Sequence, residues 1–369
     1  MWTPRRGRPT AAPPEPSRRV RRRDPDDQQG WGDVPTSRLE HPFFRLVQVL
    51  VLAAVILYGL NELGLLSREI RDVRIVRVTG EDPIRVAASA AREAHGGRAE
   101  TVVIVSVDAL ADGVAATGLA GILEAPILLN EATLVSPQTR DVIRELDTER
   151  AILIGGTSAL NGVVERTFAD EMGLETIRIA GNSRFDTAVR VAQLFTDNGE
   201  VGVLDGLPTA LVVPAEDVAT GLAAGGLAAG RAAPLPVLYS QSGALPGPTV
   251  DALARMGIEQ VVTASPITAF DGRVITVSGP VDVADTATEL REFQPSRVVI
   301  VPDGDDARAL VGGPVAGLES GVIMPFSLAQ DWLEANCGTV AELFVIAEDT
   351  VVTDADLEVL RRAATACGD

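Results

Sequence analysis

Lysine is missing altogether: the chain has 369 residues and all 32 of its basic ones are arginine. That excludes chemistry built on a lysine amine, including P-loop phosphate binding, Schiff-base catalysis and Ser–Lys dyads. Histidine occurs only at His41, in a polar tail, and at His95, just ahead of the Gly96–Gly97 pair, where neither can complete a catalytic triad. The two cysteines, Cys337 and Cys367, sit in no CxxC or Cys/His spacing, which argues against zinc. Aromatic residues make up 4 % of the chain against 46 % hydrophobic, so the core must be built from Ala, Val, Leu and Ile. GxSxG, HExxH and paired-carboxylate blocks are also missing, which turns the reading from catalysis toward binding.

The length allows two or three domains. Net charge is −19, but the first 45 residues hold ten arginines against six acids, a balance of +4 that leaves −23 on the remainder. A body that acidic repels nucleic acid. Residues 1–42, rich in Pro, Arg, Gly and Asp, cannot bury enough apolar surface to offset chain entropy and read as a disordered basic tail. The apolar segment at 43–66 follows. Its 24 residues reach about 36 Å as a helix, enough to span a membrane if Arg45 snorkels to the interface. It lies too far into the chain for an ordinary cleaved signal peptide, and beside too polar a tail for a core helix. A single-pass signal anchor is expected, with the arginine-rich side cytoplasmic and everything after Ser67 extracytoplasmic.

Beyond the anchor the chain repeats itself. The segments VRVTGEDPIRVAASAA, IRIAGNSRFDTAVRVA and ITVSGPVDVADTATEL centre on Gly80, Gly181 and Gly279, spaced 101 and then 98 residues apart. After each comes a strand-and-helix block (residues 101–121, 210–230 and 297–317), then APILLN, LPVLYS or GVIMPF, then a closing block, RAILIGGTSALNGVVERTF, QVVTASPITAF or ELFVIAEDTVVTDADLEVL. The strands are unbroken β-branched runs, as parallel strands buried on both faces require. Strands alternating with helices give an α/β fold with mostly parallel sheets. The repeats are placed at 73–172, 173–272 and 273–369, the third degenerate.

These blocks resemble the cell wall-binding repeat 2 family of bacterial surface proteins. The residues that carry the likeness are GxxRFDTA over Gly181–Ala188, DALADGVAATGLAG over Asp108–Gly121, APILL over Ala125–Leu129 and ILIGG over Ile152–Gly156. The resemblance implies three tandem Rossmann-like or toprim-like lobes in a pseudo-threefold arrangement, attached without covalent bonds to an anionic cell-wall polymer or peptidoglycan. It also implies that the PILL segment touches polymer, which carries onto Pro126, Ile127, Leu128 and Leu129, and onto Pro236, Val237 and Leu238 in the second copy. On composition alone these apolar runs read as ordinary core strand.

Other candidates come from the residues themselves. Arg184 and Asp186 could hold a sugar or phosphate by charge-assisted hydrogen bonds, or pair with each other or a neighbouring helix end. Asp108 and Asp112 follow a strand, where α/β folds place ligands, but either also suits a helix N-cap. Gly155 and Gly156 could present amides to an anion, or form a tight turn needing positive φ. Glycines 221, 225, 226 and 230 suit close helix packing better than phosphate cradling. The acidic run DGDDAR at 303–308 reads as a solvated loop, and no resident metal or cofactor is expected. Ca²⁺ or Mg²⁺ could still bridge so acidic a body to an anionic polymer. Cys337 and Cys367 form a disulfide or remain two buried thiols. The resulting expectation is a non-catalytic, membrane-tethered wall-binding protein. The alternatives are an envelope scaffold for a protein partner and, last, a metal-dependent hydrolase using Asp108 and Asp112.

Overall fold

The computed structural model describes residues 72–198, 201–292 and 294–367. The tail expected at 1–42 and the anchor expected at 43–66 lie outside the described residues. Among the described residues, no helix is long and apolar enough to cross a membrane. Residues Glu69–Asp369 make one compact unit.

In the first repeat, β1 (Arg74–Val78) leads to α1 (Pro83–His95), β2 (Thr101–Ser106) and α2 (Leu110–Ile122). It continues through β3 (Ile127–Asn130), α3 (Pro137–Glu145), β4 (Arg150–Ile154) and α4 (Gly162–Arg166), which runs on as a π-helical turn over Thr167–Glu171. The second repeat holds β5 (Glu175–Ile179), α5 (Arg184–Asn198), β6 (Val203–Leu204), β7 (Leu207–Pro214), α6 (Val218–Ala223) and α7 (Gly225–Ala228), then β8 (Val237–Ser240), α8 (Gly247–Arg255) and β9 (Gln260–Thr263). The third holds β10 (Arg273–Thr276), α9 (Pro280–Arg291), β11 (Arg297–Val301), α10 (Asp306–Leu318), β12 (Val322–Pro325), α11 (Phe326–Ala335), β13 (Glu342–Ile346) and α12 (Asp354–Thr365).

The strands form three sheets with the same order, β3-β2-β4-β5, β8-β7-β9-β10 and β12-β11-β13-β1. Every ladder is parallel except that of β6 with β7. That short hairpin turns at Asp205 and Gly206, both at positive φ, the chemistry a two-residue turn demands. The middle strands β2 and β11 are buried along their whole length, which is why they carry no polar alternation.

Sheet membership is offset from the sequence repeat by one strand. The first strand of each repeat does not join its own sheet: β5 pairs with β4, β10 pairs with β9, and β1 pairs with β13 at the far end of the chain. The helix after that strand then crosses to its own repeat's sheet, so that α1 packs on β3, α5 on β8 and α9 on β12. Glycine permits the handover. A Cβ on Gly80 would stand 2.7 Å from the Val86 amide nitrogen, and one on Gly181 would overlap Asp186. Gly279 has nothing within 4 Å, and here the third copy has lost both its pattern and the need for glycine.

The second helix of each repeat meets its counterparts at the centre, where α10 touches α2, α6 and α7. Small residues bring the backbones together: a Cβ on Gly225 would stand 3.0 Å from the Cα of Gly313. Gly221, Gly225 and Gly226 face neighbouring side chains and backbone in this packing. Cys337 and Cys367 are joined in a disulfide with Cα atoms 5.3 Å apart, tying the end of α11 to the end of α12.

Candidate functional site

In the first sheet the strand order reverses between β2 and β4, the place where open α/β sheets form a crevice beyond their strand ends. Gly155 follows β4 at φ +100°, a conformation that favours glycine. Its amide already donates to the Ile179 carbonyl at 2.9 Å, so it is not available as an anion donor. Asp112, from the first turn of α2, holds its carboxylate over this turn; a Cβ on Gly155 would stand 2.8 Å from Asp112 Oδ2. Burial raises the Asp112 carboxyl above its ordinary value, with the positive charge of Arg184 opposing. Asp108 is exposed and donates its own amide to the Ser106 hydroxyl at 3.3 Å. The N-cap of α2 is Ala109, so neither aspartate takes the capping role weighed for it.

Arg184 and Asp186 do not pair with each other. Arg184 Nη1 donates to the Ala215 carbonyl at 3.0 Å, bridging from the first sheet to the end of β7 in the second. Asp186 accepts from the Ser183 hydroxyl at 2.8 Å, closing the first turn of α5. The ring of Phe185 meets Tyr239 edge to face with centroids 6.4 Å apart, and the Tyr239 hydroxyl donates to the Ala111 carbonyl. Asp112, Gly155, Gly156, Arg184 and Asp186 thus gather around the first sheet's strand ends and the start of α5.

The PILL residues fall elsewhere. Ile127, Leu128 and Leu129 are at most 1 % exposed, Val237 and Leu238 are fully buried, and Pro126 and Pro236 are buried too. They form the core of β3 and β8 under α1 and α5, which leaves these side chains no open surface toward a ligand.

The third sheet fills the equivalent crevice from within. Arg308 stands at the Asp112 position and Glu348 at the Gly156 position of the aligned blocks. Glu348 accepts from the Gly80 amide at 2.8 Å and meets Arg308 at 3.4 Å, while Arg308 is also paired with Asp305. The two residues fasten the β1–α1 junction to its adopted sheet.

Residues outside the motif blocks complete the surroundings of the first crevice. Arg178 Nη1 donates to the carbonyls of Gly155 (2.8 Å) and Gly156 (3.3 Å), and its Nη2 lies 2.9 Å from Glu165. Beside it opens a cleft of about 520 Å³ whose walls include Asn182, Asp186, Arg190 and Gln193. The helical spacing of Asp186, Arg190, Gln193 and Asp197 marks one polar face of α5, a signal that starts inside the repeated segment and runs beyond it. Among the described residues, no group of three or more His, Cys, Asp or Glu could hold a metal ion.

Fold and strand ends together define an α/β protein of tandem repeats that exchange edge strands. The model for cell wall binding domain 2 (CWB2) matches residues 77–165 and 178–279, just over half of the chain, and the chain belongs to that family. It is 30 % identical over 135 residues to N-acetylmuramoyl-L-alanine amidase LytC of Bacillus subtilis (strain 168). That match covers 37 % of this chain and 27 % of the amidase. Two Clostridium difficile proteins share the fold: Cwp6 (TM-score 0.67, 15 % identity) and Cwp8 (TM-score 0.65, 18 % identity). Each alignment covers 80 % of this chain, which spans 48 % of the Cwp6 structure and 53 % of the Cwp8 structure.

Proposed function

We propose that the chain is a non-catalytic anchor, tethered to the membrane by residues 43–66, which attaches to an anionic secondary polymer of the cell wall through repeats in a pseudo-threefold arrangement. The observation that carries this reading is the family match across two successive repeats. The apolar run at 43–66 beside an arginine-rich tail supports the tether and its orientation. Polymer contact is assigned to the crevice around Asp112, Gly155, Gly156, Arg184 and Asp186, with Asp108 at its rim. A body of −23 holds an anionic polymer either through local contacts or with Ca²⁺ or Mg²⁺ between them.

The test is co-sedimentation of the full chain, kept in detergent, with purified cell walls before and after acid extraction of secondary polymers. Parallel samples contain EDTA. Sedimentation that disappears after extraction identifies the polymer as ligand, and an EDTA effect identifies cation bridging. A chain that stays in the supernatant throughout refutes wall attachment and favours an envelope scaffold for a protein partner.

A further inference from the structure

The 520 Å³ cleft does not end at Gln193. A second cleft of about 440 Å³ shares Val189 and Gln193 with it and continues past Thr196 and Asp197 to Ala252, Arg255 and Met256 on α8. Together they make one groove along α5, from Arg178 at the first sheet's edge to the end of α8. The stretch of α5 from Asp186 to Asp197 alone covers about 16 Å at 1.5 Å per residue.

The lining has a consistent chemistry. Ala192, Ala252 and most of Val189 lie in the floor, with Met256 half-buried beside them. Asn182 and Gln193 offer side-chain amides along the wall. Arg190 and Arg255 stand exposed at the rim, and among the described residues neither forms an ion pair. Two acidic side chains reach the groove, Asp186, which keeps its charge while accepting from Ser183, and Asp197; Arg178, Arg190 and Arg255 stand against them.

We propose that this groove, rather than the buried PILL strands, seats the polymer along its length, and that its occupant is an anionic glycan chain. Sugar rings present apolar faces to the floor and hydroxyls to the amides, while their acidic substituents meet Arg190 and Arg255. The groove explains how a strongly acidic protein holds an anionic partner, because local unpaired guanidinium groups act within a Debye length that screens the rest of the body. This inference rests on the wall-polymer reading above.

The experiment titrates the full chain in detergent with the anionic polymer released from purified walls by acid, followed by calorimetry. Arg190→Ala with Arg255→Ala is compared with Arg98→Ala and Arg166→Ala, a pair of exposed arginines that do not line the groove. The groove pair is expected to weaken binding about tenfold, the control pair to leave it near wild type, and Asp197→Asn to tighten it. Equal weakening by both pairs, or wild-type affinity in the groove pair, overturns the groove while wall binding by the wild type stands. A wild type that binds no polymer overturns the function itself and this inference with it.

Discussion

The guanidinium of Arg291 occupies the space that a side chain on Gly230 would need. Arg291, at the end of α9, donates to the carbonyls of Leu227 at 2.6 Å and Ala233 at 3.1 Å, satisfying the C-terminal end of α7. Burial lowers its pKa to about 10, still far above neutrality, so the group is charged in the folded protein. Gly230, read from sequence as a packing glycine, is in fact the seat of an arginine from the next repeat.

Gly230→Ala is therefore expected to displace a buried charge, at a cost of about 2–4 kcal/mol from overpacking and lost hydrogen bonds. Arg291→Ala removes the obstruction, so the two changes together should cost less than their sum. A double-mutant cycle by urea unfolding measures this coupling, and strict additivity would refute the contact.

His95 gives the stability a pH dependence. Its pKa is lowered from 6.5 to about 4, first by burial and then by the charge of Arg297, and its Nε2 has no hydrogen-bond partner. The unfolded chain accepts a proton near 6.5 and the folded one does not, so the contribution is intact above 6.5 and is lost as pH falls toward 4. Wild type should lose about 1–3 kcal/mol more across that window than His95→Gln. Parallel unfolding curves at pH 7.5 and 4.5 decide it; equal losses in the two proteins count against it.

Closure of the chain ends depends on Glu348. Removing its carboxylate leaves the Gly80 amide without its acceptor and Arg308 with Asp305 as its remaining carboxylate, which should cost about 1–3 kcal/mol. The effect should be local, so hydrogen exchange in Glu348→Ala should quicken at Arg74–Val78 well before it does at Thr101–Ser106. Uniform quickening would show that β1 is not a separately held element.

The strand and helix blocks were legible because each is a local pattern: β-branched runs, a glycine, then a helical period. The sheet partners were not, because β1 joins β13 in a parallel ladder that sets Val76 opposite Phe344, and nothing local in either strand announces the other. The candidate residues divide the same way. Asp112, Gly155, Arg184 and Asp186 lie beyond strand ends, where the topology exposes loops, and the fold brings them into one neighbourhood. For residues 126–129 the family likeness implies polymer contact while the unbroken apolar run indicates a strand buried on both faces, and the burial follows the run. Arg190 lies in the second repeated segment, but its position holds Ser89 and Thr288 in the other copies, so only the helical spacing along α5 points to it.

The polymer contact proposed for Asp112 would set stability against function. Its carboxyl is raised by desolvation, so the charged form is disfavoured in the fold, and the penalty grows as pH rises through the unfolded carboxylate range. Among the described residues its side chain makes no hydrogen bond that offsets this, and the attraction of Arg184 compensates only in part. Asp112→Asn keeps the shape and removes the charge, so it should raise the unfolding temperature at pH 7 by a few degrees and have little effect near pH 3. A residue kept only for packing would show no such gain, whereas one retained for ligand contact exchanges stability for binding. The same variant should therefore sediment less with walls while unfolding at a higher temperature. A variant that is less stable at pH 7 would mean that Arg184 over-compensates and that Asp112 is a structural ion-pair partner.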